Sequence, residues 1–226
     1  MSARLTIYSG PLSMFGAKVQ IAALEKGLDF DLVMVPYDSA RGYDPKHPEV
    51  LRINPKRQVP VLTHGPVEIF DSTQIFEYLE DMAPTPPLWP RDPIARADAR
   101  NLEHQSDEVY FPYIIKLMGL QDALATAPAV TAIEGANRFY AAMEKRLESE
   151  WLAGSYSFAD IAFYMAALFG ERQSAPLTTS TPRLLAWRER MGQRVPVKTV
   201  VGAMATWLKT AGRPVPTFMA SLQATQ

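Results

Sequence analysis

Val59-Pro60 and Asp71-Ser72 are the residues of this chain whose types and spacing suit the binding of a small acidic peptide. Two short apolar runs, Val61-Leu62 and Ile69-Phe70, flank the turn-like His64-Gly65-Pro66, and the second run ends on an acid able to cap a helix. Asp71 with Gln74 forms a capping-box variant ahead of the apolar stripe Ile75, Phe76, Leu79. The local order is therefore strand, tight turn, strand, helix. Pro60 at a strand start offers no ladder donor, and a cis Val59–Pro60 bond is one arrangement that tolerates it. The Val59 N–H and C=O then face outward, free to pair with an extended ligand as a strand would. The helix opening at Ser72 presents free N–H groups and a positive dipole end to a carboxylate. An extended backbone dock beside an anion pocket fits a short acidic peptide.

The elements that must hold these residues follow in chain order. Leu5 to Tyr8 reads as a short buried strand, and Ser9-Gly10-Pro11 as a loop. Ser13 stands at an N-cap, and Phe15, Val19, Ala22 and Ala23 recur at helical spacing from Met14 to Lys26, with Gly27 as the stop. A second strand alternates through Phe30, Leu32 and Met34. Strand, helix, strand within this length implies a parallel pair joined by a right-handed crossover. Residues 36–47 read as loop, Pro48 to Ile53 as one or two helical turns, and the strand pair and helix above complete a first domain over residues 1–82. The proline-rich stretch 83–93 reads as a stiff linker. Beyond it no convincing strand appears. Residues 94–121 are helical and amphipathic with a kink at Pro112. Further helices are expected near 130–148, 158–170, 182–192 and 197–209. Ser157 to Asp160 is a capping box, with Tyr156 and Ile161 placed as a hydrophobic staple. The expected fold is an α/β domain followed by an all-helical domain over 94–226.

Composition excludes several classes. A formal net charge of −1 gives no argument for nucleic acid or an acidic membrane surface. The chain has no cysteine, which removes disulfides, thiolate metal sites and any cysteine nucleophile. His47, His64 and His104 lack ligand spacing, so no metal is expected. No basic-then-apolar leader precedes Leu5 and no apolar run approaches membrane-spanning length, so the expectation is a soluble cytoplasmic protein.

Four motifs in their order resemble the cytosolic glutathione S-transferase superfamily across nearly the whole chain. They are Ser13 with Lys18-Val19 ahead of Leu24-Glu25-Lys26-Gly27; Ile53-Asn54-Pro55 leading into Gln58-Val59-Pro60; Asp71-Ser72-Thr73; and the Ser157–Asp160 cap. The Ser13-Met14-Phe15 start is similar to the serine-type members (theta, phi, tau and bacterial relatives) and unlike the cysteine-type omega and beta classes. Asp71-Ser72 stands where the family usually has Glu-Ser, one methylene shorter with the same charge.

The resemblance implies a thioredoxin-like amino-terminal domain that binds glutathione as co-substrate, without a metal, and an all-helical domain that receives an apolar electrophile. It implies that Ser13 donates its hydroxyl hydrogen bond to the glutathione sulfur. Only a thiolate is a good nucleophile, and lowering a thiol pKa by about 2 units needs about 2.7 kcal/mol of preferential thiolate stabilisation. A hydrogen bond to a charged acceptor supplies roughly 1.5–3 kcal/mol, and the helix end about 0.3–1 kcal/mol. Tyr8 and Ser9 are rival donors. Ser13 and Asp71 are also both N-caps, a role that does not compete with binding.

By the same resemblance Ser72 takes the γ-glutamyl carboxylate, Asp71 pairs with the α-amino group, Val59 with the cysteinyl backbone, and Gln58 and Lys46 reach the glycyl end. The apolar substrate is expected between Leu12 and the first long helix of the second domain, lined by Tyr110, Phe111, Tyr113 and Leu117, with Trp207 and Phe218 as further candidates. Each aromatic also reads as helix core. The resemblance further implies a homodimer and a role in detoxification. Two other readings are a non-catalytic binding or regulatory member of the fold and a glutathione-dependent ether-cleaving or dehalogenating enzyme.

Overall fold

The computed structural model describes residues 4–38, 41–43 and 46–222. A four-stranded sheet runs in the order β2-β1-β3-β4, with β1 Leu5–Ser9, β2 Phe30–Met34, β3 Val61–His64 and β4 Val67–Phe70. The crossover helix α1, Met14–Glu25, joins β1 to β2, which pair in parallel with Leu5 opposite Phe30. β3 runs antiparallel to β1, Leu5 opposite His64, and β4 antiparallel to β3, Val61 opposite Phe70. The strands divide their side chains between two faces with period two. Leu5, Ile7 and Leu62 pack with Val19 and Ala23 of α1 and with Ile75 and Leu79 of α3, Ser72–Met82. The other face buries Val61 with Val35 and with Val50 of α2, Pro48–Ile53. This is the expected thioredoxin-like arrangement.

The helices after the sheet are α4 Pro93–Gln105, α5 Phe111–Met118, α6 Ala127–Arg146, α7 Phe158–Arg172, α8 Pro182–Gln193, α9 Val195–Thr210 and α10 Thr217–Ala220. The kink expected at Pro112 is spread over a π turn, Ser106–Tyr110, where the Phe111 N–H bonds the Ser106 carbonyl five residues back. Proline has no N–H to donate and crowds the preceding turn, and the wider turn absorbs both effects. Short α10 and a 3₁₀ turn at Gln121–Ala123 carry no periodic pattern and were not expected.

Two compact units result, and their border differs from the expected one. One holds residues up to Pro87 together with Val195 onward, and the other runs from Leu88 to Arg194. The reason is that α9, expected in the helical domain, packs on α1. Within the first unit, the buried Lys26 ammonium pairs with Glu80 at 2.6 Å and donates to the Ala83 and Pro86 carbonyls at 2.7 and 3.1 Å, which ties the start of the linker to α1 and α3. Within the second unit, the Phe158 N–H bonds the Leu88 carbonyl and Trp89 meets Phe158 edge-on. Among the described residues no helix is long and apolar enough to cross a membrane.

Candidate functional site

The strand register brings three predicted segments to one end of the sheet. Tyr8, Val61 and Phe70 lie opposite one another across β1, β3 and β4. Gly10 to Ser13 leave β1 just after Ser9, Val59-Pro60 enter β3 just before Val61, and Asp71-Ser72 leave β4 just after Phe70. Neighbouring strands are about 4.8 Å apart, so the row spans about 10 Å. A fully extended peptide of three residues has about the same reach.

Ser13 caps α1 with extended backbone, and its Oγ accepts the Gly16 N–H at 3.0 Å. Among the described residues the hydroxyl hydrogen has no acceptor, so the donor function that thiol activation needs remains available. The first turn of α1 holds no acid that would oppose a thiolate there. The two rival donors are placed differently. Ser9 is fully buried, and its Oγ accepts from Gln20 Nε2 at 2.8 Å. Tyr8 packs half-buried against the Val35, Val50, Val61 cluster, its ring 5.0 Å from that of His47. Gly16 has no room for a side chain, since a Cβ would lie 2.0 Å from Ser9 Oγ.

The Val59–Pro60 peptide is cis, as the strand-start proline suggested. Among the described residues the Val59 N–H and C=O take part in no backbone pairing. Gln58 is exposed, and its carbonyl accepts from Asn54 Nδ2 at 2.6 Å. The buried Asn54 also accepts the Lys56 N–H through Oδ1 at 2.9 Å and the Arg57 N–H through its own carbonyl at 2.8 Å. Arg57 adopts φ 56 in this turn. Asn54 is thus the organiser of the loop that presents Gln58 and Val59, a role its place in the motif did not disclose. Lys46 lies half-buried just before His47, whose Nδ1 accepts the Glu49 N–H at 3.2 Å and caps α2.

Asp71 Oδ1 accepts the Thr73 and Gln74 N–H groups at 3.1 and 3.4 Å. The Asp71 backbone sits at φ 78, ψ 130, outside the regions an L-residue adopts without cost. Such strain persists where the surroundings over-determine it, and it concentrates at ligand sites. Ser72 is buried at the first position of α3, and among the described residues neither its N–H nor its hydroxyl has a partner.

The apolar-substrate residues divide. Leu12 is half-buried in the loop beside Ser13. Tyr110, Phe111 and Leu117 belong to the core of the helical unit, and Tyr113 beside them is half-buried. The Tyr110 hydroxyl bonds that of Tyr140, which donates to the Ala175 carbonyl at 2.9 Å. Burial pushes the Tyr110 phenol well above its ordinary range. Trp207 and Phe218 are half-buried in the first unit.

This is the architecture of a thioredoxin-like fold, and comparison with known proteins identifies the class. Residues 7–87 match the glutathione S-transferase N-terminal domain and residues 109–194 the glutathione S-transferase C-terminal domain. The chain belongs to the glutathione S-transferase family. It is 32% identical to glutathione S-transferase 1 of Dianthus caryophyllus over 70% of each chain, and 32% identical to the maleylacetoacetate isomerase of Mus musculus over 68% of this chain and 69% of that one. It is 33% identical to a stringent starvation protein A homolog of Coxiella burnetii over 47% of this chain, and it spans about half, 48%, of that relative's length. A solved glutathione S-transferase from Methylobacterium radiotolerans, in complex with glutathione sulfonate, superposes with a TM-score of 0.73 at 27% identity, covering 87% of this chain and 94% of that one.

Proposed function

We propose that the protein is a glutathione transferase in which Ser13 activates the thiol. The observation that carries this reading is the row Tyr8–Val61–Phe70, which brings Ser13, Val59 and Asp71-Ser72 to one sheet end while each keeps a polar group unspent. Glutathione lies extended across the row. Its cysteinyl backbone pairs with Val59 as an added strand. Its γ-glutamyl carboxylate takes the Ser72 N–H and hydroxyl at the start of α3, and its α-amino group pairs with Asp71. Gln58 and Lys46 face the glycyl end. The Ser13 hydroxyl donates to the sulfur, the thiol proton passes to solvent, and the thiolate attacks an electrophilic carbon beside Leu12. The carbon–sulfur bond forms as the carbon–leaving group bond breaks, and the leaving group departs with the electron pair. The proposal includes a cytoplasmic homodimer acting in detoxification.

A second reading is carried by the identity to the murine maleylacetoacetate isomerase. The same thiolate would then serve isomerisation, and glutathione would be released unchanged. A third is carried by the stringent starvation protein A likeness, in which the dock binds without turnover. Incubation with glutathione and, in parallel, a panel of aryl halides or a cis-unsaturated dicarboxylic acid, followed by chromatographic separation and mass analysis of the products, separates the three. The expected result is a glutathione adduct with release of halide. Glutathione recovered intact beside an isomerised unsaturated acid supports the second reading. Glutathione bound with neither product supports the third.

A further inference from the structure

A side chain outside the residues assigned above grips the loop that carries Ser13. Tyr43 Oη accepts the Leu12 N–H at 3.2 Å. The same ring covers Gly10 so closely that a Cβ there would lie 2.2 Å from Tyr43 Cε1. Between these two grips the Ser13 N–H donates to the Gly10 carbonyl at 3.1 Å. Tyr43 therefore fixes the residues on which the Ser13 backbone depends, by a polar contact on one side and ring packing on the other.

Tyr43 is itself held. Its ring meets Tyr37 edge-on at 4.9 Å, and Tyr37 meets Trp207 of α9 edge-on at 5.6 Å. The Arg213 guanidinium lies 5.9 Å from the Tyr37 ring centroid. Asp38 and Gly42 exchange backbone hydrogen bonds of 2.7 and 2.8 Å, closing the chain between the two tyrosines. Aromatic pairs at such spacing and a cation near a ring each add to area burial.

A hydrogen bond to sulfur weakens steeply with misalignment, and a small misplacement of a reacting group can outweigh a lost contact. We propose that Tyr43 is a positioning residue for thiol activation: without touching glutathione, it holds the Gly10–Ser13 loop so that the Ser13 hydroxyl points at the sulfur. The proposal rests on the reading of Ser13 as the thiol donor.

The test compares full-length wild type, Tyr43→Phe and Ser13→Ala. Phenylalanine keeps the ring over Gly10 and against Tyr37 and removes the acceptor for Leu12. Three quantities are read: the glutathione dissociation constant, the pH titration of bound thiolate by ultraviolet absorbance, and hydrogen exchange of the Leu12 amide. In Tyr43→Phe, affinity stays within about twofold, the bound thiolate fraction at fixed pH falls about three- to tenfold, and the Leu12 amide exchanges faster by a similar factor. An unchanged thiol titration in Tyr43→Phe, while Ser13→Ala raises it, overturns the proposal. So does a loss of affinity with the titration unchanged, since that makes Tyr43 a ligand contact or a structural residue. If wild type and Ser13→Ala titrate alike, the Ser13 reading has failed and the role of Tyr43 falls with it. Leu12 exchange then still reports whether the Tyr43 bond exists.

Discussion

Asp71, the N-cap of α3, spends one carboxylate oxygen on protein donors, whereas Asp160, in the first turn of α7 behind the Ser157 cap, spends both, and the contrast extends to the residues around them. Asp160 is fully buried. Its Oδ1 accepts the Leu152 N–H and Trp187 Nε1–H, each at 3.0 Å, and its Oδ2 accepts the Ser157 N–H at 3.0 Å and the Ser157 hydroxyl at 3.3 Å. Tyr110 and Tyr140 likewise close on each other and on a carbonyl. The helical unit spends these buried polar groups on its own core. In the sheet unit, Asp71 Oδ2, the Ser72 N–H and hydroxyl, the Val59 backbone and the Ser13 hydroxyl hydrogen have no partner among the described residues. Polar groups left unpaired near the interior cost free energy, and they are retained where a ligand completes them. The proposed glutathione site draws on these unspent groups, although the helical unit also holds buried polar atoms without a partner among the described residues, Tyr164 Oη and Arg190 Nε included.

Substituting the two aspartates in parallel sharpens this comparison. Asp160→Asn turns an amide N–H₂ toward donors and is expected to cost about 1–3 kcal/mol of stability at neutral pH in urea unfolding, with glutathione affinity unchanged. Its pH dependence has a definite sign. Burial pushes the Asp160 carboxyl up to about 6, against the four donors that pull it down. An unfolded aspartate titrates near 4. Between these values the folded chain binds a proton that the unfolded chain does not. The Asp160 contribution is therefore fully present below about pH 4 and is lost as pH rises through about 6. The stability gap between wild type and Asp160→Asn should narrow over that window by on the order of 2–3 kcal/mol. A gap that widens instead would show the carboxylate to be better stabilised folded than unfolded.

The opposite outcome is expected at Asp71. Asparagine keeps an oxygen for the Thr73 and Gln74 N–H groups and tolerates positive φ. Asp71→Asn should hold stability within about 0.5 kcal/mol of wild type, while glutathione affinity falls about tenfold, or about 1.4 kcal/mol. A loss of stability without a loss of affinity would make Asp71 a structural carboxylate like Asp160. The smallest effect is assigned to Tyr110→Phe, about 1 kcal/mol of stability for one buried hydrogen bond, with glutathione titration unmoved. A changed apolar-substrate preference in that variant would return Tyr110 to the site.

The parts that were legible in the sequence are those written locally. Asp71-Ser72-Thr73 before an apolar stripe, and Ser13 ahead of helical spacing, declare caps because a cap is a contact between residues two to four positions apart. Pro60 declared an unusual backbone at its own position. What could not be read depends on residues far apart in sequence. Nothing near Tyr43 signals that its hydroxyl would find Leu12, and Asn54 shows only as part of a motif until its side chain is seen on Gln58. α9 has an ordinary amphipathic pattern that names no partner, so nothing in it points to α1 rather than to the other helices. The aromatic cluster at Tyr110, Phe111 and Tyr113 admits both readings for the reverse reason, since composition cannot tell a core from a pocket wall when both are apolar.

The most direct test of the account is an ultraviolet difference titration of bound glutathione, wild type beside Ser13→Ala, with thiolate absorbance followed against pH. The account predicts a bound thiol that ionises about 2 units below the free thiol in wild type and returns most of the way in the variant, a shift equivalent to about 1.5–3 kcal/mol. A lowered thiol pKa that survives loss of the Ser13 hydroxyl would contradict it and move the donor to Tyr8 or another group at this end of the sheet.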